Sequence, residues 1–260
     1  MTKTIYLASD YDGTFKQNNT ISDYDLEAIR RLRSRGGKFG LVTGRGPGQL
    51  KEEFSAFSFT LDFLIACTGA LILDGQGSTL FCRPLNQELI PGLFEQARAQ
   101  GAVLYGLCTK NLHRRLYVDP VLAQTPKFKA FPLPQGSLED TLNDGPALSL
   151  FIMGPTNEDS FGIYQSLSET YRDHFSFHYN KGSIDVTAPG INKAQGIKTL
   201  GSLRPEAELY VIGDALNDLE MIRAFNGFCV TNSSPEILEA ASMRFESVGS
   251  CLDFLMEKNP

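Results

Sequence analysis

Short apolar runs alternate with segments of helical periodicity along the first quarter of the chain. The runs at residues 5–8, 39–42 and 63–66 are flanked by turn residues and predict buried strands. Between the first two runs, apolar residues at helical spacing predict a helix, and Ser22 with Asp25 predicts a capping box at its start. A strand, a helix and another strand in this order predict a βαβ unit within a parallel sheet.

The pattern changes after the third strand. Residues 83–182 contain two predicted helices and three predicted strands, and the proline-containing stretch 109–147 matches no regular pattern. We interpret residues 83–182 as an α/β domain inserted into a core formed by residues 1–82 and 183–260. The alternating segment 183–187 is expected to return to the core. The predicted fold class is therefore α/β, with a Rossmann-like parallel-sheet core and an inserted α/β domain.

Charge and composition limit the partners that the chain can have. The net charge is −6 and the pI is near 5.2, which argues against nonspecific binding to nucleic acid. No apolar run approaches the roughly 20 residues needed to cross a bilayer, and the N-terminus lacks the features of a signal peptide. Five scattered cysteines without a C-x-x-C pair predict neither a zinc site nor a disulfide framework. We therefore expect a cytoplasmic protein without a membrane or nucleic-acid partner.

Asp10 and Asp12 follow the first predicted strand and precede a glycine turn. Two carboxylates about 4 Å apart repel each other by roughly 4 kcal/mol at an effective dielectric constant near 20. A shared proton, a cation or a metal ion offsets this repulsion. Because no histidine or cysteine is close in sequence, a hard ion such as Mg²⁺ fits best. A solvated acidic turn is the alternative that these two residues alone leave open.

Polar residues also stand at the ends of other predicted elements. Thr43 follows the second strand, and Lys193 opens a helix after the insertion. Asp214, Asn217 and Asp218 follow a strong late strand. Each residue alone has a simpler interpretation as a capping or solvated side chain. Ligands of parallel sheets bind at the carboxyl ends of the strands, so the combined pattern favours one reactive site.

Four segments together resemble the motifs of the haloacid-dehalogenase-like phosphohydrolase superfamily. Asp10-Tyr11-Asp12-Gly13-Thr14 matches its D-x-D-G-T motif, and Leu41-Val42-Thr43-Gly44-Arg45 is similar to the second motif. Asn192-Lys193-Ala194-Gln195-Gly196-Ile197 is similar to the third motif, and Gly213-Asp214 through Asn217-Asp218, followed by Met221, resembles the fourth. The resemblance covers nearly the whole chain. An insertion between the second and third motifs resembles the Cof-type subgroup, which carries a large α/β cap that determines substrate specificity.

The resemblance implies a role for each motif residue. Asp10 is the expected nucleophile, and Asp12 the expected acid and base that serves the leaving group and then water. Thr43 is expected to bind the transferred phosphoryl group, and Lys193 to neutralise its charge. Mg²⁺ is the expected cofactor, held by Asp10, by the main-chain carbonyl of Asp12 and by Asp214.

Further contacts follow from the same resemblance. Gly44, Arg45 and Asn217 are expected to bind the phosphate or the rest of the substrate. Asp218 is expected to orient the metal shell or Lys193. Candidate contacts in the cap, each with a surface or structural role as its simpler interpretation, are His113, Arg114, Arg115, His178 and Lys181.

The function that these expectations favour is a Mg²⁺-dependent phosphatase acting through an aspartyl-phosphate. Its substrate is expected to be a small phosphorylated metabolite such as a sugar phosphate. A phosphomutase or phosphotransferase with the same intermediate is the alternative enzyme. A receiver-like signalling protein or a catalytically silent binding protein is the alternative outside enzymes, although the D-x-D spacing favours turnover over a stored phosphate.

Overall fold

The structure is a computed structural model that describes most of the chain. The described residues are 3–54, 59–122, 134–180 and 182–258, without the side chain of Glu52. The strands are β1 (Thr4–Ser9), β2 (Lys38–Val42), β3 (Phe63–Ala66), β4 (Leu71–Asp74), β5 (Thr79–Cys82), β6 (Leu104–Cys108), β7 (His113–Val118), β8 (Ser149–Met153), β9 (Ser176–Asn180), β10 (Ser183–Thr187), β11 (Ala207–Gly213), β12 (Phe228–Val230) and β13 (Met243–Phe245). The helices are α1 (Asp23–Ser34), α2 (Pro47–Phe54), α3 (Ile90–Ala99), α4 (Leu138–Leu142), α5 (Asn157–Thr170), α6 (Lys193–Leu203), α7 (Leu219–Ala224), α8 (Pro235–Ala240) and α9 (Val248–Lys258).

Contacts within the chain divide it into two compact units. The first unit comprises Met1–Thr43, Phe59–Phe81 and Lys193–Pro260. The second unit comprises Gly44–Ser58 and Cys82–Asn192. The second unit is therefore larger than the predicted insertion, because it also takes in the segment with α2 and the residues after 182.

The first unit contains an eight-stranded sheet in the order β13-β12-β11-β1-β2-β3-β4-β5. Strands from β13 to β3 are parallel, and β4 is antiparallel to β3. The α/β class with a parallel-sheet core, predicted from the sequence, is confirmed. β1 lies near the middle of the sheet between β11 and β2, so the residue after its last position is flanked by strand ends on both sides.

Apolar side chains of the sheet and of α6 form the core of the first unit. Val42, Ile65 and Val211 are fully buried, and Ile197 of α6 packs with them. Burying such a side chain contributes roughly 1.5–3 kcal/mol. This packing fixes the N-terminal end of α6 relative to the strand ends.

The second unit contains a five-stranded sheet in the order β7-β6-β8-β10-β9, in which all neighbouring strands are antiparallel. The prediction that residues 183–187 return to the core is wrong, because β10 pairs with β8 and with β9. Ile184 and Val186 are buried in the core of this unit together with α3 and α5. The alternating pattern of residues 183–187 indicated a strand with one covered face. It could not indicate which of the two sheets contains that strand.

Two strands were not predicted from the sequence pattern. β7 lies within the unassigned stretch 109–147, and only Val118 of its residues is fully buried. β13 is a three-residue edge strand whose first two residues are exposed, so it shows no buried apolar run. Among the helices that the structure describes, none is both long and apolar enough to cross a membrane.

Helices α1 and α9 of the first unit are joined by a buried carboxylate. Ser22 caps α1 by accepting a hydrogen bond from the backbone N–H of Asp25, as half of a capping box requires. The Asp25 carboxylate does not complete that box. It accepts hydrogen bonds from Ser247 Oγ and from the N–H of Gly249, both at 2.6 Å, at the start of α9.

Replacing Asp25 tests this connection. We expect Asp25→Ala to lower the free energy of unfolding by about 2 kcal/mol, because Ser247 Oγ loses its acceptor and the buried N–H of Gly249 keeps only its longer bond of 3.2 Å to Ser247 Oγ. Asp23→Ala is the matched control, since Asp23 is an exposed carboxylate in the same first helical turn. Its loss is expected to stay below about 1 kcal/mol. Urea denaturation followed by circular dichroism measures both, and equal losses would contradict the connection.

Candidate active site

Asp10 stands at the carboxyl end of the central strand β1. Its backbone N–H continues the sheet by donating to the carbonyl of Ile212 at 2.9 Å. Its own carbonyl accepts from Ser9 Oγ at 2.7 Å and from the N–H of Phe15 at 3.2 Å. These bonds fold the chain into a tight turn directly after the strand, and they hold the Asp10 side chain in a buried position.

Lys193 lies between two carboxylates at the N-terminal end of α6. Its Nζ donates to Asp10 Oδ1 and to Asp218 Oδ1, both at 2.6 Å. The lysine side chain is 1% exposed, and Asp218 is fully buried. A buried ammonium is stable only when charged and hydrogen-bonding partners replace its water shell. Lys193 therefore joins two residues that lie 183 and 25 positions from it in the chain.

Asp218 also orders the loop that carries Asp214. Its Oδ2 accepts hydrogen bonds from the N–H groups of Asp214 and Ala215, both at 3.1 Å. The carbonyl of Asp214 accepts from the N–H of Ser234 at 2.9 Å. One carboxylate thus positions the ammonium of Lys193 and the backbone of the neighbouring acidic residue at once.

The Asp214 carboxylate lies against the turn that follows Asp10. Its Oδ1 accepts a hydrogen bond from Thr14 Oγ1 at 3.0 Å. A Cβ atom on Gly13 would lie 2.5 Å from Asp214 Oδ2, and Gly13 has a positive φ of 97°. Only glycine adopts this backbone conformation readily, and only glycine leaves room for the carboxylate.

The cluster holds more negative than positive charge. Carboxylate oxygens of Asp10, Asp214 and Asp218 lie within 4.8 Å of one another, with Lys193 as their ammonium partner. Burial raises the pKa of the Asp10 carboxyl well above its usual range; Lys193 opposes this shift, while Asp218 and Asp214 add to it. Burial lowers the pKa of Lys193, but the carboxylates of Asp10 and Asp218 raise it further, above its ordinary value. Lys193 is therefore charged.

The donor set fits a divalent cation. Two carboxylates compete for one ammonium, and Asp214 contributes a third negative group, so a further cation is favoured electrostatically. The donors are oxygens without a nearby histidine or cysteine, which hard ions prefer. Gly13 leaves open the space that the Asp214 carboxylate occupies. Asp218 accepts hydrogen bonds from both Lys193 and the loop backbone. Asp10 and Asp214 are therefore the suitable ligands of the cluster.

Thr43 and Asn217 lie in the same unit as the acidic cluster. Thr43 is buried at the end of β2, where its N–H donates to the carbonyl of Ile65 and its carbonyl accepts from the N–H of Thr68, both at 2.9 Å. The Oδ1 atom of Asn217 is buried and has no hydrogen-bond partner among the described residues. Their predicted contacts with a phosphate stay predictions.

Asp12, Gly44 and Arg45 are not members of the acidic cluster. The Asp12 side chain is exposed and lies outside the group of carboxylates that are close enough to share a metal ion. Gly44 and Arg45 belong to the second unit, where Arg45 forms an ion pair with Glu53. The roles predicted for these three residues stay predictions.

The cap candidates also divide into different groups. His178 is a structural residue, since its Nε2 lies 3.0 Å from Thr187 Oγ1 and from the carbonyl of Ile191. Lys181 lies outside the described residues. Arg114 and Arg115 line a cavity of the second unit.

Sequence reasoning missed two threonines of the first unit. Thr14 belongs to the first motif but was given no role, and it binds Asp214. Thr68 is buried with a positive φ of 56°, and its Oγ1 has no hydrogen-bond partner among the described residues. Its position two residues after the end of β3 is the signal that was available, because Asp10 and Thr43 also follow strand ends.

The fold and the site define a class of hydrolase with a parallel-sheet core and an acidic, lysine-bridged cluster at the strand ends. The model of the haloacid dehalogenase-like hydrolase family matches residues 7–249 of the chain. The chain therefore belongs to this family, as its motifs predicted.

Relatives and solved structures agree with this assignment. The 5-amino-6-(5-phospho-D-ribitylamino)uracil phosphatase YbjI of Escherichia coli is 25% identical over 245 residues, which cover 92% of this chain and 89% of that protein. The phosphatase BT1666 of Bacteroides thetaiotaomicron is 19% identical with a TM-score of 0.79, covering 99% of this chain and 96% of its own. The HAD subclass IIB sugar phosphatase BT4131 is 18% identical with a TM-score of 0.75, covering 98% and 99%. At these identities the two structures show a shared fold.

A substitution at Gly13 tests the packing of the acidic cluster. We expect Gly13→Ala to lower the free energy of unfolding by about 3 kcal/mol, because backbone strain and a clash with Asp214 add together. Gly36→Ala is the matched control, since Gly36 has a similar φ of 84° with no atom within 4 Å of the added Cβ. It should cost only the strain, about 1 kcal/mol. Chemical denaturation compares them, and a Gly13→Ala loss no larger than that of Gly36→Ala would exclude the clash.

Proposed function

We propose that the chain hydrolyses phosphate monoesters of small metabolites through an aspartyl-phosphate on Asp10, with Mg²⁺ as its cofactor. The observation that carries the proposal is the buried Asp10 carboxylate, held at 2.6 Å by Lys193 at the end of the central strand. A buried carboxylate beside a fixed ammonium suits nucleophilic attack on a dianionic phosphate. The alternative transferases share this first step and differ only in the acceptor.

The first step forms a bond between Asp10 and phosphorus. Lys193 holds Oδ1, so Oδ2 is the oxygen that attacks. The bond between phosphorus and the ester oxygen breaks, and the leaving alkoxide takes a proton from Asp12. Lys193 stays charged beside the phosphoryl oxygens and stabilises the negative charge that gathers on them.

The second step returns Asp10 to its starting state. Water attacks the phosphorus of the aspartyl-phosphate and gives a proton to Asp12. The bond between phosphorus and Asp10 breaks, and inorganic phosphate leaves. The exposed position of Asp12 supports this role, since the group that exchanges protons with a leaving group and with water needs access to both.

The remaining predicted residues supply binding and charge balance. We assign Thr43 and Asn217 to the phosphate oxygens, to which the hydroxyl of Thr43 and the Nδ2 group of Asn217 would donate. The buried Oδ1 atom of Asn217 has no partner among the described residues and, as an acceptor, suits a bound water molecule or a substrate hydroxyl rather than the phosphate itself. Asp10, the main-chain carbonyl of Asp12 and Asp214 would hold Mg²⁺. When bound, this ion shields the nucleophile from the negative charge of the substrate.

The second unit is assigned the recognition of the organic part of the substrate. Gly44 and Arg45 begin this unit directly after Thr43 in the sequence. One relative acts on a phosphorylated ribityl compound and a structural neighbour is a sugar phosphatase. A sugar or polyol phosphate is therefore the substrate class that we propose.

Phosphate release from a panel of sugar, nucleotide and cofactor phosphates tests the proposed function. We expect release with Mg²⁺ and at least about a 100-fold loss with excess EDTA, because the acidic cluster needs a cation to accept a phosphate dianion. The ranking of substrates identifies the preferred class. Folded protein with Mg²⁺ that releases phosphate from no member would contradict a phosphatase.

Replacing the nucleophile tests the role of Asp10. Asp10→Asn is expected to lower kcat at least about 1,000-fold, because the amide cannot form the acyl phosphate. Asp23→Asn, which changes an exposed carboxylate of the same unit, should keep full activity. Steady-state phosphate release and a thermal melt of each variant separate lost chemistry from lost folding. Ordinary turnover by Asp10→Asn would rule out its role.

Leaving-group dependence tests the role of Asp12. Asp12→Ala is expected to slow an alkyl phosphate by about 100-fold or more, because an alkoxide needs a proton from a general acid. p-Nitrophenyl phosphate has a leaving group that needs no proton, so its first step should slow far less. Burst-phase measurements of the released alcohol and nitrophenol give both rates. Equal losses for the two esters would argue against an acid.

A further inference from the structure

The second unit contains a cavity of about 590 Å³ between α2 and the turn that joins β6 to β7. The two walls touch directly. A Cβ atom on Gly48 of α2 would lie 2.4 Å from the carbonyl oxygen of Asn111 in the turn. The volume is in the range of small-molecule sites. We call this cavity the arginine pocket, after Arg45, Arg114 and Arg115 in its lining.

The arginine pocket has an excess of positive charge. Glu53 is the one carboxylate among its described lining residues, and it forms an ion pair with Arg45. No lining carboxylate of the described chain remains for Arg114 and Arg115. Asp140 is close enough to Arg114 for its pKa to be affected, but it is fully exposed and takes hydrogen bonds from Ser137.

Arg115 carries a second, independent sign of a missing anion. Its Nε atom is buried and has no hydrogen-bond partner within the described residues. Burial lowers the pKa of the Arg115 guanidinium, and no neighbouring carboxylate opposes that shift. Buried donors are almost always paired in folded proteins, so this one indicates a ligand acceptor.

The turn beneath the arginines is held rigidly. Thr109 Oγ1 donates to Asp144 Oδ2 at 2.5 Å and accepts from the N–H groups of Asn111 and Leu112. The ring of His113 stacks on Phe151 with centroids 4.4 Å apart, so His113 belongs to the framework. A fixed framework lets the two guanidiniums bind an anion with little loss of conformational entropy.

We propose that the arginine pocket binds a phosphate or carboxylate group carried by a small organic anion. The planar donor forks of Arg114 and Arg115 match the paired oxygens of either group. The anion has two possible sources, namely a second anionic group on the substrate and a free anion that acts as an effector. For the substrate source, the inference rests on the proposed function, and Arg45 follows Thr43 of the second motif by two residues.

Calorimetric titration of the full chain with inorganic phosphate, in the presence of Mg²⁺, tests the pocket without any need for turnover. The wild type is expected to show two binding events, one of which weakens about 10- to 100-fold in Arg115→Gln. Arg115→Lys should recover part of the loss, because it keeps the charge but not the fork. Arg172→Gln, an exposed arginine of the same unit, is the matched control and should keep both events. If Arg115→Gln does not fold, Arg114→Gln gives the same test.

Kinetics distinguish the two sources of the anion. 3-Phosphoglycerate and glycerol 3-phosphate differ by a carboxylate in place of a hydroxymethyl group. If the substrate supplies the anion, Arg115→Gln raises KM about 10-fold or more for 3-phosphoglycerate and leaves glycerol 3-phosphate unchanged. If a free anion is bound, both KM values stay unchanged while the phosphate-binding event is lost. Both results support an anion site.

Phosphate binding that is identical in Arg115→Gln, Arg114→Gln and the wild type would overturn the proposal. This failure is distinct from failure of the proposed function. If the wild type releases phosphate from no ester, but Arg115→Gln loses a phosphate-binding event, the arginine pocket is supported and the phosphatase function is contradicted. If the wild type hydrolyses esters and both arginine variants bind phosphate as the wild type does, the phosphatase function is supported and the anion site in the arginine pocket is contradicted.

Discussion

The ammonium of Lys193 between two buried carboxylates is the interaction on which the rest of the site depends. Its partners come from the first turn of the chain and from a loop more than 200 residues later, so the pairing closes only when the parallel sheet is complete. A buried charge without its partner costs several kcal/mol, which makes this arrangement nearly obligatory in the folded unit. The strand order β11-β1-β2 places the participating segments side by side.

The same arrangement leaves the site short of positive charge. Asp218 accepts hydrogen bonds from Lys193 and from two backbone N–H groups, Asp10 accepts from Lys193, and Asp214 accepts from Thr14. The excess of negative charge lowers the stability of the folded unit, and it creates affinity for a cation. Such local conflict between stability and charge is typical of functional sites. The arginine pocket of the second unit shows the opposite imbalance, with donors that exceed its acceptors.

Much of the first unit could be predicted from the sequence because its signals are local. The apolar run of β1 ends at Asp10, and the D-x-D-G-T motif follows at once, so position and chemistry coincide. The position of Lys193 at the start of a predicted helix and that of Asp214 after a strong strand carried similar information. The sequence predicted that Asp218 orients either the metal shell or Lys193. It could not decide between the two, since the residues of a segment do not report its distance from another segment.

The errors have physical causes that can be named. The segment of β10 alternates as any one-faced strand does, and its partners β8 and β9 were not encoded in its own residues. β7 has mostly half-buried residues with two adjacent arginines, which hides the strand period. The grouping of α2 with the second unit depends on contacts such as that of Gly48 with Asn111, which no local pattern reports.

Peptide mapping of protein quenched in acid during turnover tests the central claim most directly. The Asp12→Ala variant with p-nitrophenyl phosphate and Mg²⁺ is the suitable sample, because loss of the base slows hydrolysis of the intermediate more than its formation. The account predicts one phosphoryl group on the N-terminal peptide, located at Asp10 by fragmentation. Nitrophenol release with no phosphoryl group on that peptide, or with the group on another residue, would contradict the account.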